Sequence, residues 1–130
     1  MRTGRIANCA FQLIRRYCSG TVRLHAEGMI EDGSGADDYA FNSDCKWLIT
    51  APPGKVVRLW FDRFDTEART DMLYFFNGEG TNPASMMAIF SGPDIPPELR
   101  TWSNRVLVWF LADGSNQHAG WRMHYRFENP

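Results

Sequence analysis

Hydrophobic and polar residues alternate with period two along most of the chain. In Val56–Phe61, Val57, Leu59 and Phe61 fall on one face, and Arg58, Trp60 and Asp62 on the other. The same alternation predicts strands over Lys46–Ala51, Met72–Phe76, Ser85–Phe90, Val106–Ala112 and Trp121–Phe127. Turn chemistry separates them: Pro52-Pro53-Gly54-Lys55, Asn77-Gly78 and Ser91-Gly92-Pro93. Pro93–Pro97 reads as a loop or a sheet edge, because proline donates no ladder hydrogen bond. Such turns recur about every ten residues, the pattern of a β-sandwich or barrel. There is no internal repeat.

Length and composition narrow this further. The chain has 130 residues, enough for one domain with a core of its own. It carries five Trp and nine Phe, which suits an all-β core more than a helical bundle. The formal net charge is −1, so no basic surplus points to nucleic acid or an anionic membrane. No apolar run approaches the ~20 residues of a membrane span. Residues 1–17 read as a lead-in, either a short helix or the tail of a preceding module. Their apolar segment is broken by Asn8 and Gln12 and followed by Arg15-Arg16, so no secretory signal is visible. The three cysteines, Cys9, Cys18 and Cys45, leave at least one unpaired within the chain, and none has the spacing of a zinc site.

Two acidic turns carry the candidate chemistry. One lies in Phe64-Asp65-Thr66-Glu67-Ala68-Arg69-Thr70-Asp71, and the other at Asp113, where the Val106–Ala112 strand ends. Loops at strand ends can converge on one cation. Calcium takes about six to eight hard oxygen ligands. Two carboxylates four residues apart and a third from a distant strand end can supply several. Asp65 reads as shaping its own turn.

Catalytic patterns are weak. His25, His118 and His124 lack metal-ligand spacing, and there is no nucleophile elbow. Asp62, Asp65 and Glu67 imitate a glycosidase pair, but one short loop offers no opposing cleft. The expectation is a non-enzyme.

At this point the residues resemble a known family. Cys18-Ser19-Gly20, Tyr39, then Asn42-x-x-Cys45-x-Trp47-x-Ile49-x-Ala51-Pro52-x-Gly54 is similar to the first half of a CUB domain. Val57-x-Leu59-x-Phe61-x-x-Phe64-Asp65-x-Glu67, Asp71-x-Leu73 and Asn77-Gly78 resemble its middle. Ser91-Gly92, Val106-x-Val108-x-Phe110-x-x-Asp113-x-Ser115 and Gly120-Trp121 through Tyr125 resemble its end. The resemblance is to the calcium-binding type, similar to the CUB of attractin-like multidomain proteins. It implies a two-sheet antiparallel jelly-roll sandwich over residues 18–127, after the lead-in 1–17 and before a tail, 128–130.

It further implies a non-catalytic extracellular interaction module, secreted or part of an ectodomain, with other modules beside it in a larger chain. One Ca2+ would be held by Glu67, Asp71 and Asp113, with Tyr39 and Ser115 in support. Carboxylate oxygens at the ion's edge would then capture a Lys or Arg of a protein partner. A Cys18–Cys45 disulfide is implied, worth roughly 3–4 kcal/mol by the chain-entropy model. The family's frequent second disulfide has no cysteines here; Ser91 stands before Gly92.

If Leu59, Phe61, Val108 and Phe110 point inward, then Trp60, Leu107, Trp109 and Leu111 point outward, joined by Tyr74 and Phe76. Trp60, Trp109 and Tyr74, with His118 in the acidic loop, are therefore candidate partner contacts. The rival reading is a calcium-stabilised carbohydrate-binding sandwich that stacks sugars on Trp60 or Trp102.

Overall fold

The computed structural model describes residues 19–32, 44–112 and 120–130. Nine strands run in order: β1 (Ser19–Leu24), β2 (Gly28–Asp32), β3 (Asp44–Thr50), β4 (Val56–Asp65), β5 (Met72–Asn77), β6 (Met86–Phe90), β7 (Leu99–Arg100), β8 (Arg105–Leu111) and β9 (Gly120–Glu128). They form a five-stranded sheet, β1-β3-β8-β5-β6, facing a four-stranded sheet, β2-β9-β4-β7. Every pair is antiparallel except β1, which runs parallel to β3. This is the all-β two-sheet sandwich that the family resemblance implies, and one of the two architectures, sandwich or barrel, that the alternation allows. Tyr39, Asp113, Ser115, His118, Cys9 and Cys18 lie outside the described residues.

The six strands expected from the pattern are present, with shifted ends. β4 runs on to Asp65 because a bulge at Asp62 lets the strand keep pairing with β9 while both Asp62 and Arg63 stay off the core face. The strand expected from Ser85 starts at Met86, since Pro83–Ser85 form a 3-10 turn capped by the Asn82 side chain. β1, β2 and the two-residue β7 are not among the strands that the alternation predicts. All three are edge strands, largely exposed, and carry little alternation.

The core lies between the sheets and is aromatic. Trp121 is fully buried, with Trp47 edge-on at 5.3 Å between ring centroids and Phe110 at 5.7 Å. Phe61 makes edge contacts with Phe64, Phe75, Phe90 and Trp121 at 5.3–6.3 Å. Such pairs add about 0.5–1.5 kcal/mol each beyond their buried area.

The outer faces differ from a simple inside–outside alternation. Leu107 and Phe76 do point away from the core, yet they are only 3% and 2% exposed. Together with Leu48 they form a second small cluster on the outer face of the five-stranded sheet, flanked by Tyr74, Met86 and Trp109. Cross-strand register explains it: Leu48 sits opposite Leu107, Leu107 opposite Phe76, and Phe76 opposite Met86. Lys46 lies over the Trp109 ring at 4.5 Å, and the Trp109 Nε1 donates to Asp44 Oδ1 at 2.7 Å.

Candidate functional site

The acidic turn between β4 and β5 is tightly built. The Asp71 N–H donates to the Glu67 carbonyl at 3.0 Å, which closes the turn and brings the two residues together. Arg69 adopts a left-handed φ of 73°, and its N–H donates to Ser91 Oγ at 3.2 Å. Thr66, 1% exposed, ties the turn to its surroundings. Its hydroxyl donates to the Asp71 carbonyl at 3.2 Å and accepts the Gly92 N–H at 3.0 Å, while its own N–H donates to the Gly92 carbonyl at 2.9 Å. The turn is thus held by hydrogen bonds to the loop after β6. Arg69 and Ser91 meet where the resemblance would often carry a second disulfide. Neither Thr66 nor Ser91 was singled out in the sequence as part of the site; nothing in a lone Thr between two acids marks it.

The carboxylates sit unusually deep for a turn. Asp71 is fully buried and the Oε1 atom of Glu67 is inaccessible to solvent. Acidic residues in turns are ordinarily solvated, and a buried carboxylate demands compensation by charge or hydrogen bonds. Hard anionic oxygens packed at a strand end suit a divalent cation of the calcium type. Among the described residues no three His, Cys, Asp or Glu gather as a metal cluster.

The topology bears on the residues outside that set. β8 ends at Leu111, opposite Met72, so the chain leading into Asp113 and Ser115 leaves the sheet beside Asp71. β9 starts at Gly120, opposite Asp65. β2 ends at Asp32, opposite Trp121, and β3 begins at Asp44, opposite Leu111, so the connection carrying Tyr39 leaves and re-enters at this same end. Every loop bearing a candidate ligand therefore attaches to one end of the sandwich. Ser19, which follows Cys18, pairs with Asp44, which precedes Cys45, and the Cys45 sulfur is disulfide-bonded.

The aromatic candidates do not form one surface. Tyr74 and Trp109 pack on the outer face of the five-stranded sheet, 5.4 Å between ring centroids. Trp60 lies on the four-stranded sheet, on the opposite side of the molecule. There it stacks on His124 at 5.4 Å, with the Arg58 guanidinium 4.8 Å over its ring. Asp62 accepts from Arg122 Nε at 2.8 Å and lies 2.8 Å from His124 Nε2. Burial opposes ionisation of Asp62, but the Arg122 and His124 hydrogen bonds outweigh it and hold the carboxyl below its usual range. The Trp60 indole is thus sandwiched within a charged network.

Comparison with known proteins identifies the family of this fold. The model of the CUB domain family matches residues 18–125. The chain belongs to the CUB family. Human procollagen C-endopeptidase enhancer 1 is 30% identical over 123 residues, covering 85% of this chain and 27% of the relative. Human multiple epidermal growth factor-like domains protein 8 is 32% identical over 113 residues, covering 85% of this chain and 4% of that protein. The chain therefore spans about a quarter or less of these relatives. Among solved structures, the MASP-1 CUB2 domain bound to Ca2+ superposes with a TM-score of 0.71 at 28% identity, covering 84% of this chain and 99% of that one. The sandwich architecture described above is that of the CUB fold.

Proposed function

We propose that this CUB domain is a non-catalytic extracellular module that binds a protein partner through a calcium-organised acidic end. Glu67, Asp71 and Asp113 would hold the ion, with Tyr39 and Ser115 in support. Calcium would supply a fixed positive charge that draws the loops together and orients carboxylate oxygens. Those oxygens then accept a Lys or Arg presented by the partner. The observation that carries the reading is the full burial of Asp71 on a turn, at the one end of the sandwich to which the other candidate loops attach. A structural relative described as bound to Ca2+ supports it. Cys18 is the proposed partner of Cys45, a bond that would anchor β1 to β3 at this end. Residues 18–127 constitute the proposed module, working beside other modules of a larger chain.

The test is a thermal melt of the oxidised domain with calcium and with chelator, on the parent, Asp71→Asn and Asp113→Ala. A ligand that binds only the folded state, at a hundred times its Kd, adds about 2.7 kcal/mol, which is several degrees for a domain of this size. The expected result is a calcium-dependent rise that both variants lose. An unchanged melt at millimolar calcium would remove the metal from the reading.

A further inference from the structure

The end of the sandwich opposite the acidic turn holds a feature that the calcium reading does not use. β4 has ten residues, from Val56 to Asp65, so its two ends lie ~30 Å apart. At the Val56 end, the loop between β7 and β8 projects Trp102, which is 74% exposed. The backbone beneath it is fixed. The Thr101 N–H donates to the Val57 carbonyl at 2.9 Å, and the Val57 N–H donates to Thr101 Oγ1 at 2.9 Å. Asn77 Oδ1 accepts the Trp102 N–H at 3.0 Å and the Ser103 N–H at 3.3 Å. Asn104 Nδ2 donates to the Ala51 carbonyl at 2.9 Å, and the Ala51 N–H donates to the Asn104 carbonyl at 2.7 Å. A loop pinned to three neighbouring elements thus presents a large apolar ring to solvent. A single exposed aromatic on a mobile loop would mean little. On a fixed backbone, only the two side-chain torsions of the ring remain to be ordered when a ligand covers it.

Trp102 borders an open cleft of about 360 Å³, lined also by Pro53, Lys55, Ser103, Asn104 and Pro130. That volume lies at the small end of ligand sites. The cleft has one aromatic ring, whereas grooves for proline-rich peptides are lined by several. It is also shallow, which does not suit a buried side-chain anchor. What it offers is a flat π-face beside polar groups. The Lys55 ammonium uses one hydrogen bond on Asn129 Oδ1, at 3.0 Å, and has further protons to donate. An equatorially substituted pyranose has the complementary shape. Its face is a set of C–H bonds, slightly positive, which stack on the negative π-face of an indole. Its hydroxyls lie around the edge, within reach of flanking donors and acceptors.

We propose that Trp102, with Lys55 and Asn104 at its rim, forms a carbohydrate subsite for an equatorially substituted pyranoside such as a glucose or N-acetylglucosamine unit, separate from the calcium end. The experiment is an NMR titration of the chain with 15N-labelled tryptophan side chains, in the presence of chelator, so that it is independent of any metal. The probes are the β-1,4-linked tetrasaccharides of glucose and of N-acetylglucosamine, with a proline decamer as the competing ligand class. A saturable shift of the Trp102 indole signal with either saccharide is expected by ~10 mM, a weak-binding range suited to one stacked ring. For the variants, binding is followed on the saccharide's own proton signals by saturation transfer from the protein: Trp102→Ala should abolish it at an unchanged melting temperature, while Trp102→Phe keeps part of it and Trp60→Ala keeps all. No saturable shift with either saccharide, a response that survives Trp102→Ala, or a response to the proline decamer alone overturns the proposal; the last would assign the cleft to a peptide.

Discussion

Replacing Thr66 with Val tests whether the acidic turn is a preorganised unit. Val keeps the volume and branching of Thr and removes only the hydroxyl. Two groups lose a partner: the Gly92 N–H, which donates to Thr66 Oγ1 at 3.0 Å, and the Asp71 carbonyl, which accepts from it at 3.2 Å. Both bonds lie in a buried setting, with Thr66 1% exposed. A buried donor left unsatisfied costs about 1–3 kcal/mol. The carbonyl, with a second lone pair, loses a bond worth about 0.5–1.5 kcal/mol. The sum is roughly 1.5–4.5 kcal/mol, large against the total stability of an ordinary domain. Urea denaturation of parent and Thr66→Val should show a lower midpoint with an unchanged slope, because the surface exposed on unfolding stays the same. The calcium-dependent part of the melt should shrink as well, since the bond that positions Asp71 is gone. A loss below about 1 kcal/mol would refute the reasoning, because it is less than the smallest cost of leaving one buried donor unpaired.

Two further predictions concern pH. Burial pushes the Tyr125 hydroxyl up to about 12, against 10.0 in the unfolded chain. Its contribution is intact below pH 10 and is lost as pH rises towards 12, by about 2–3 kcal/mol in all. Tyr125→Phe should flatten the alkaline limb of a stability–pH curve, and an unchanged limb would count against the burial effect. Asp62 has the opposite sign: its folded pKa is depressed, so its stabilisation is present above the unfolded value and fades as pH falls through the folded one. The carboxylate is 40% exposed, so solvent screening limits the effect to less than about 1 kcal/mol. Asp62→Asn should therefore remove only a shallow acid slope in urea midpoints; a drop of several kcal/mol at neutral pH would contradict the surface character of the Asp62–Arg122–His124 cluster.

The strands that read clearly in the sequence are those whose two faces meet different surroundings. β4 shows this best: Val57 and Leu59 are fully buried while Arg58 and Trp60 lie on the outer face. β1 and β2 escape the pattern because each pairs along one side only, and among their described side chains only Ile30 is buried. With no second neighbour, and with only Ile30 of β2 in the core and Leu24 of β1 packed against it, neither edge strand shows a hydrophobic period. The outward side of Leu107 and Phe76 is legible in the sequence, but their burial with Leu48 is not, for a related reason. Alternation assigns a side of the sheet, but burial there depends on which residues stand opposite in neighbouring strands, and that register is not visible within one strand.

The site divides along the same line. Glu67 and Asp71 could be picked out because acidic residues four apart at a strand end are a local pattern. Their depth could not, because it comes from Thr66 and Gly92, residues 26 positions apart, closing over the turn. That distinction matters for function. A solvated acidic turn would meet a cation with mobile side chains and would lose much of the gain to ordering them. A turn whose backbone is already hydrogen-bonded to a second loop has met that cost during folding. The hydroxyl of Thr66, which coordinates nothing itself, therefore sets how much of the carboxylates' intrinsic attraction for an ion would reach the measured affinity.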